Sequence, residues 1–285
     1  MHAVLSVVGD LLEDVVVRTV TAPAVGTDTP ATIERRPGGS AANAASAAAS
    51  LGASVRLICR VGVDPLGEQL VAALSAAGVD VRAQRHGRTG SVVVLVDGSG
   101  ERTMMPDRAA AGELSAVDPD WVDGVTWVHV PAYSLLSEPI GTAARELIEH
   151  VRAAGGLVSI DASSVAVIEA YGPDRFASLL DEVGPDVVFA NEPESALVPH
   201  HGSRVTLVKR GPDPVTVLGD PADPGPYDVS VPAISGVTDT TGAGDAFAAG
   251  YIVAAMAGAG VGDAVGAGIR LAGVALTARV KDPSI

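Results

Sequence analysis

The feature that most constrains this chain is an alternation between two kinds of apolar pattern. Short apolar runs at 3–8, 55–61, 127–130, 157–160, 186–190 and 205–208 read as buried strands. Longer segments at 40–51, 67–77, 140–153, 175–183, 192–198, 244–256 and 262–278 carry helical spacing. Strands and helices that take turns on this scale form right-handed βαβ units. The expected fold class is therefore α/β, a doubly wound, mainly parallel sheet with helices on both faces. With 285 residues, 47% of them hydrophobic, the chain can build one such domain over 1–285 and bury a large core.

Two segments break the rhythm. Residues 14–36 hold the strand-like stretches Val15–Val20 and Thr32–Arg36 around a Pro/Gly/Thr-rich turn. Residues 91–105 read as a hairpin, Ser91–Asp97 and Glu101–Met105 around Gly98-Ser99-Gly100. No helix separates the strands within either segment. They are expected to form a small antiparallel β lid outside the main sheet. The apolar run Val92–Val96 reads as an open edge, a surface for a homodimer.

The strongest chemistry lies late, in Asp239-Thr-Thr-Gly-Ala-Gly-Asp245. Gly242, Ala243 and Gly244 can present successive backbone N–H groups at a helix start, where the macrodipole adds positive potential. Asp245 follows in the first turn. Dipole and N–H donors are expected to keep its carboxylate ionised, ready to take a proton from a hydroxyl attacking a phosphorus held above. An anion cradle beside a fixed carboxylate is what phosphoryl transfer to an alcohol needs. The bland reading is a helix cap and a turn. A Rossmann fingerprint fits poorly, because the third small position is Phe247, and neither a P-loop nor a G-x-S-x-G elbow occurs in the sequence.

An early element, Gly38-Gly39 followed by Asn43, opens the first long helix. Paired glycines admit a ligand close to the backbone, and the Asn43 amide both donates and accepts, as polyol hydroxyls do. Taken alone, it is also an ordinary helix-start turn. With both glycine elements in order, the chain resembles the ribokinase-like (PfkB-type) carbohydrate kinases over essentially its whole length. Gly9-Asp-Leu-Leu-Glu-Asp14, Thr89-Gly90, Glu101-Arg-Thr103, Asn191-Glu-Pro-Glu194 and Val208-Lys-Arg-Gly211 add to the resemblance.

The resemblance implies an ATP-dependent sugar kinase with Asp245 as base and Gly242, Ala243 and Gly244 as anion hole. It implies that Asp14, Gly38, Gly39 and Asn43 hold the sugar. Asn191, Glu194, Lys209 and Gly211 would line the nucleotide, with Glu194 acting on Mg²⁺ indirectly. It also offers Asp239, Thr241 and Ser284 as candidates for a monovalent cation such as K⁺. Alternatives on the same fold are a non-catalytic sugar or nucleotide binder, or a nucleoside kinase. Departures are visible. Pro214 stands in the nucleotide segment, and Asp107-Arg108-Ala-Ala replaces a family G-A-N or G-A-S element. Arg108 is a candidate for the carboxylate of an acidic sugar, with a structural role as its alternative.

Composition narrows the partners. Acidic residues number 34 and basic residues 19, a net charge of −15 that repels nucleic acid and anionic membranes. Any phosphate must then be held by local donors. At 3% aromatic content there is little for a nucleobase to stack on, which favours a sugar over a nucleoside. Cys59, the single cysteine, lies in an apolar run and reads as a buried, inert thiol. An early Asp10 argues against a signal peptide, and the uncharged stretch at 246–262 is short for a membrane span, so a cytoplasmic protein is expected. The scattered histidines lack metal spacing. Glu13 and Arg35-Arg36 read as solvated strand positions.

Overall fold

The computed structural model describes residues 3–98, 102–198, 203–237 and 239–277. The chain begins with β1 (Val4–Val8), β2 (Leu12–Thr19), β3 (Ala31–Gly38), α1 (Ser40–Ser50), β4 (Ser54–Val61) and α2 (Pro65–Ala76). Next come β5 (Asp80–Arg85), β6 (Ser91–Val96), β7 (Arg102–Asp107), β8 (Val125–Pro131), α3 (Ile140–Ala153) and β9 (Leu157–Asp161). Then follow α4 (Val165–Tyr171), α5 (Pro173–Val183), β10 (Val187–Asn191), α6 (Glu192–Leu197), β11 (Val205–Arg210) and β12 (Asp213–Leu218). Strand β13 (Tyr227–Val229) and helices α7 (Ala243–Met256) and α8 (Val261–Thr277) complete the described elements.

The main sheet runs β13-β12-β11-β10-β9-β8-β1-β4-β5. From β11 to β5 every pairing is parallel, while β12 and β13 extend the sheet antiparallel. Strand order reverses between β1 and β8: the chain first builds outward to β4 and β5, then crosses back and builds the other way. Open α/β sheets bind ligands outside the carboxyl ends of their strands at such a switch point.

Side-chain alternation divides the interior into two cores. Leu5, Val7, Leu57, Cys59, Trp127 and Phe189 face α1, α2, α7 and α8. Val8, Ile58, Val128, Val130, Val188 and Ala190 face α3, α4 and α5. Cys59 is fully buried, and loss of hydration pushes its thiol up to about 12, so it is inert as expected. Helix α7 is buried from Ala246 to Ile252 and meets α8 so closely that a Cβ on Gly268 would lie 2.7 Å from the Phe247 carbonyl oxygen.

The small sheet runs β3-β2-β6-β7. Its outer pairings, β2–β3 and β6–β7, are antiparallel, and the central β2–β6 pairing is parallel. Val92–Val96 therefore lies inside this sheet, between β2 and β7, and is not the open edge expected. Its alternate residues Val92, Val94 and Val96 pack with Leu12 and Val16. The edges are β3 and β7. Thr89 joins the two sheets: its hydroxyl donates to Asp64 at 2.5 Å and accepts the Gly62 N–H, while the Gly90 carbonyl takes the Glu13 N–H.

Candidate active site

A cleft of about 1920 Å³ opens between the carboxyl ends of the main strands and the underside of the small sheet. That is well above the roughly 300–1,000 Å³ of a single-ligand pocket, so two substrates fit side by side. Asp10 after β1, Asp14 on β2 of the small sheet, Asp161 ending β9, Asn191 ending β10 and Lys209 on β11 line it. The start of α7 reaches in from the helical layer with Thr240, Thr241 and Gly242 to Asp245.

Gly242 caps α7 in the left-handed conformation, φ +75°, which turns the chain into the helix axis. The opening amides of a helix have no carbonyl four residues back inside it. Asp245, half-buried in this first turn, accepts hydrogen bonds from the Ser40 hydroxyl at 2.5 Å and the Asn43 amide at 3.0 Å. Burial pushes its carboxyl up to about 6, with the Asp161 charge adding to the rise and the Ser40 and Asn43 bonds opposing it. Desolvation outweighs the donors, so the carboxyl lies above its ordinary value, yet a group near 6 is still mostly ionised at neutral pH. Ser40 was not singled out in the sequence; its place between Gly39 and Asn43 at the helix start was the available signal. Asn43, expected at the sugar, orients the carboxylate while lining the same cleft.

Behind this lies a charged layer. Lys209 donates to Asp161 at 2.8 Å, and a Cβ on Gly244 would stand 3.3 Å from its Nζ. Burial disfavours the ammonium, yet the Asp161 charge and hydrogen bond overcome it and raise its pKa. Asn191 and Glu194 form a capping box on α6: Asn191 N–H and Nδ2 donate to the two Glu194 oxygens, and Glu194 N–H returns a bond to Asn191 Oδ1. Burial raises the Glu194 pKa. Gly211, φ +61°, turns β11 into β12. Pro214 falls where Val208 pairs with Thr216 and Arg210 with Asp213, so two β12 residues oppose Lys209 alone. A bulge tolerates the missing N–H, which is how this departure is absorbed. Beyond it the cleft is apolar, walled by Val215, Val231, Ile234, Ile269 and Ala272.

The other end belongs to the lid. Asp14 is buried and lines the cleft, and a Cβ on Gly38 would lie 2.1 Å from its Oδ1, so glycine there makes room for the carboxylate. Arg36 is not on a solvated face. Its guanidinium lies 3.7 Å from Asp14 and 3.7 Å from Asp239. Arg35 is exposed, but its partner Glu13, expected in solvent, is buried beneath it at 2.7 Å. Asp239 also meets Arg18 at 3.8 Å and Arg102 at 3.1 Å, and Arg102 bonds Thr240 at 2.7 Å and Thr241. Arg108 takes the structural alternative while still lining the cleft: its fork grips Asp10 at 2.6 and 2.8 Å and Ser137 at 2.7 Å. Ser284, Glu101 and the His200-His201 pair lie outside the described residues. Among the described residues no cluster of metal-binding side chains forms, and no helix is long and apolar enough to cross a membrane.

The model of the pfkB family of carbohydrate kinases matches residues 3–282. The chain belongs to this family. A fructokinase of Escherichia coli is 31% identical over 243 residues, 76% of each chain. An ATP-dependent ribose-1-phosphate kinase of Halopiger xanaduensis is 35% identical over 230 residues, 75% of this chain and 72% of that one. An Escherichia coli structure described as a candidate ribokinase II, in complex with ATP and Mg²⁺, superposes with a TM-score of 0.84 at 23% identity, covering 99% of this chain and 96% of that one. That likeness secures the ribokinase-like fold.

Proposed function

We propose that this carbohydrate kinase moves the γ-phosphoryl group of ATP onto a sugar hydroxyl, with Asp245 as base. The carrying observation is a carboxylate near pKa 6 set in the first turn of α7, inside a cleft with room for two ligands. The acceptor hydroxyl gives its proton to Asp245 as its oxygen bonds to the γ-phosphorus. The bond from that phosphorus to the β,γ-bridging oxygen breaks, and ADP leaves. The amides of Gly242, Ala243 and Gly244 and the Lys209 ammonium receive the spreading negative charge.

The acceptor lies against Asp14, Gly38, Gly39 and Asn43. The nucleotide extends past Lys209 and Gly211 toward the apolar wall. Asp161 and Glu194 are hard oxygen donors facing the phosphate end, which suits a hydrated Mg²⁺ held through its waters. When bound, Mg²⁺ neutralises phosphate charge. A monovalent cation at Asp239 and Thr241 is disfavoured by the three guanidiniums around Asp239. The lid's exposed Ile33 and Met105, which share its outer face, form the proposed contact with a second copy, in the cytoplasm where ATP is abundant.

Purified protein incubated with Mg-ATP and a panel of pentoses, hexoses, sugar acids and nucleosides should yield a phosphorylated product. Stabilisation against heat by sugar and nucleotide, with no product from any acceptor, would instead identify a binder.

A further inference from the structure

The lid brings three arginines to one place. Arg18 comes from β2, Arg36 from β3 and Arg102 from β7, and all converge on Asp239, just ahead of the anion loop. Their side chains are only 26–29% exposed, in a chain whose net charge is −15. Among the described residues, three guanidiniums meet two buried carboxylates there, Asp14 and Asp239. Burying surplus positive charge costs free energy unless an anion arrives to meet it.

Contact lengths point the same way. The Arg108–Asp10 pair closes at 2.6 and 2.8 Å with both arms of the fork used. Arg36 and Arg18 stand 3.7–3.8 Å from their carboxylates, within attraction but outside hydrogen-bond length, whereas Arg102 reaches Asp239 at 3.1 Å and Thr240 at 2.7 Å and would exchange these bonds for the ligand's. The guanidinium of Arg36 lies beside Asp14, and Asp14 and Arg102 both line the acceptor end of the cleft. A sugar held there brings its far substituent under the lid.

Resting on the kinase reading above, we infer that the preferred acceptor is an anionic sugar. Its phosphate or carboxylate, remote from the reacting hydroxyl, is held by Arg36 and Arg102. Each group, the planar carboxylate or the tetrahedral phosphate, presents a pair of anionic oxygens that a guanidinium fork binds with charge-assisted bonds.

The test compares matched acceptors with Mg-ATP: ribose against ribose 1-phosphate and ribose 5-phosphate, fructose against fructose 6-phosphate, and glucose against gluconate. The charged member of at least one pair should have a kcat/KM higher by about ten- to a hundredfold, as one or two charge-assisted bonds supply. Preference within the phosphate pairs assigns the subsite to phosphate; preference in the gluconate pair assigns it to carboxylate. In Arg36→Gln and Arg102→Gln the charged-to-neutral ratio should fall by about tenfold, chiefly through KM, with Arg36→Lys recovering part of it. Equal or better use of the neutral members by the native protein overturns the inference. So does an unchanged ratio in both well-folded Gln variants, which would assign the arginines to ATP phosphates or to latching the lid. Failure to phosphorylate any acceptor counts against the kinase reading itself.

Discussion

Asp245 shows how one residue is tuned by competing effects. Water exclusion raises its pKa to about 6, and two hydrogen bonds from α1 hold it below where burial alone would put it. Only the ionised form accepts a proton, so kcat/KM should rise with pH through about 6 and then level off. In Ser40→Ala, which removes a donor to the charged form, that acid limb should shift to higher pH; an unmoved limb would assign it to another group. His129 carries the opposite sign. Buried against Phe189, with Nδ1 2.9 Å from the Ser159 hydroxyl, it has a pKa lowered to about 4, mainly by burial. The unfolded chain binds this proton near the ordinary value of 6.5 and the folded one near 4, so stability is lost as pH falls between them. The loss is on the order of 3 kcal/mol at its limit. Urea titrations at pH 7 and pH 5 should show a smaller pH effect in His129→Gln than in the native protein.

At the scale of elements, the αβ alternation was legible wherever a strand is buried on both faces and its helix is long. The periodicity placed α3 at its observed bounds, Ile140–Ala153. Elements that escaped have physical reasons. β5 is an edge strand of sequence DVRAQR with polar, solvent-facing positions; β12 carries Pro214; β13 has three residues; α4 has seven. The Gly242–Asp245 loop and the Gly38-Gly39 start were readable because their spacing is local. The roles of Asp10, Ser40, Asp161 and Arg102 were not, although Asp10, Ser40 and Arg102 fall within or beside the quoted segments, because their partners lie far along the chain: the Arg102–Asp239 contact spans 137 residues. The α7–α8 contact makes an element-level prediction. Gly268→Val drives a side chain into the Phe247 carbonyl and should cost about 1–3 kcal/mol of stability. It should also lower kcat, since α7 carries Asp245. Gly260→Ala, whose Cβ would have no neighbour within 4 Å, should leave the melting temperature nearly unchanged.

The molecule as a whole is two sheets tied together at Thr89-Gly90, with the cleft in the space between. The main sheet supplies acids and one lysine from its strand ends; the lid supplies arginines. Their meeting at Asp239 means that charge, rather than apolar packing, seats the lid on the anion loop at this point. Ion pairs whose arginines keep some contact with solvent weaken as salt screens them. Proteolysis within the lid strands should therefore quicken between low and high ionic strength, and ATP with a bound acceptor should slow it again. Insensitivity to both would mean that the lid is held by other contacts. Proton transfer to Asp245 is the central step of the proposed reaction. The direct measurement is single-turnover phosphorylation by Asp245→Asn, with the best acceptor and Mg-ATP, beside circular dichroism of the same sample. A native spectrum with the chemical step slowed by about 10²–10⁴-fold is the predicted result. A native spectrum with undiminished phosphoryl transfer would contradict it.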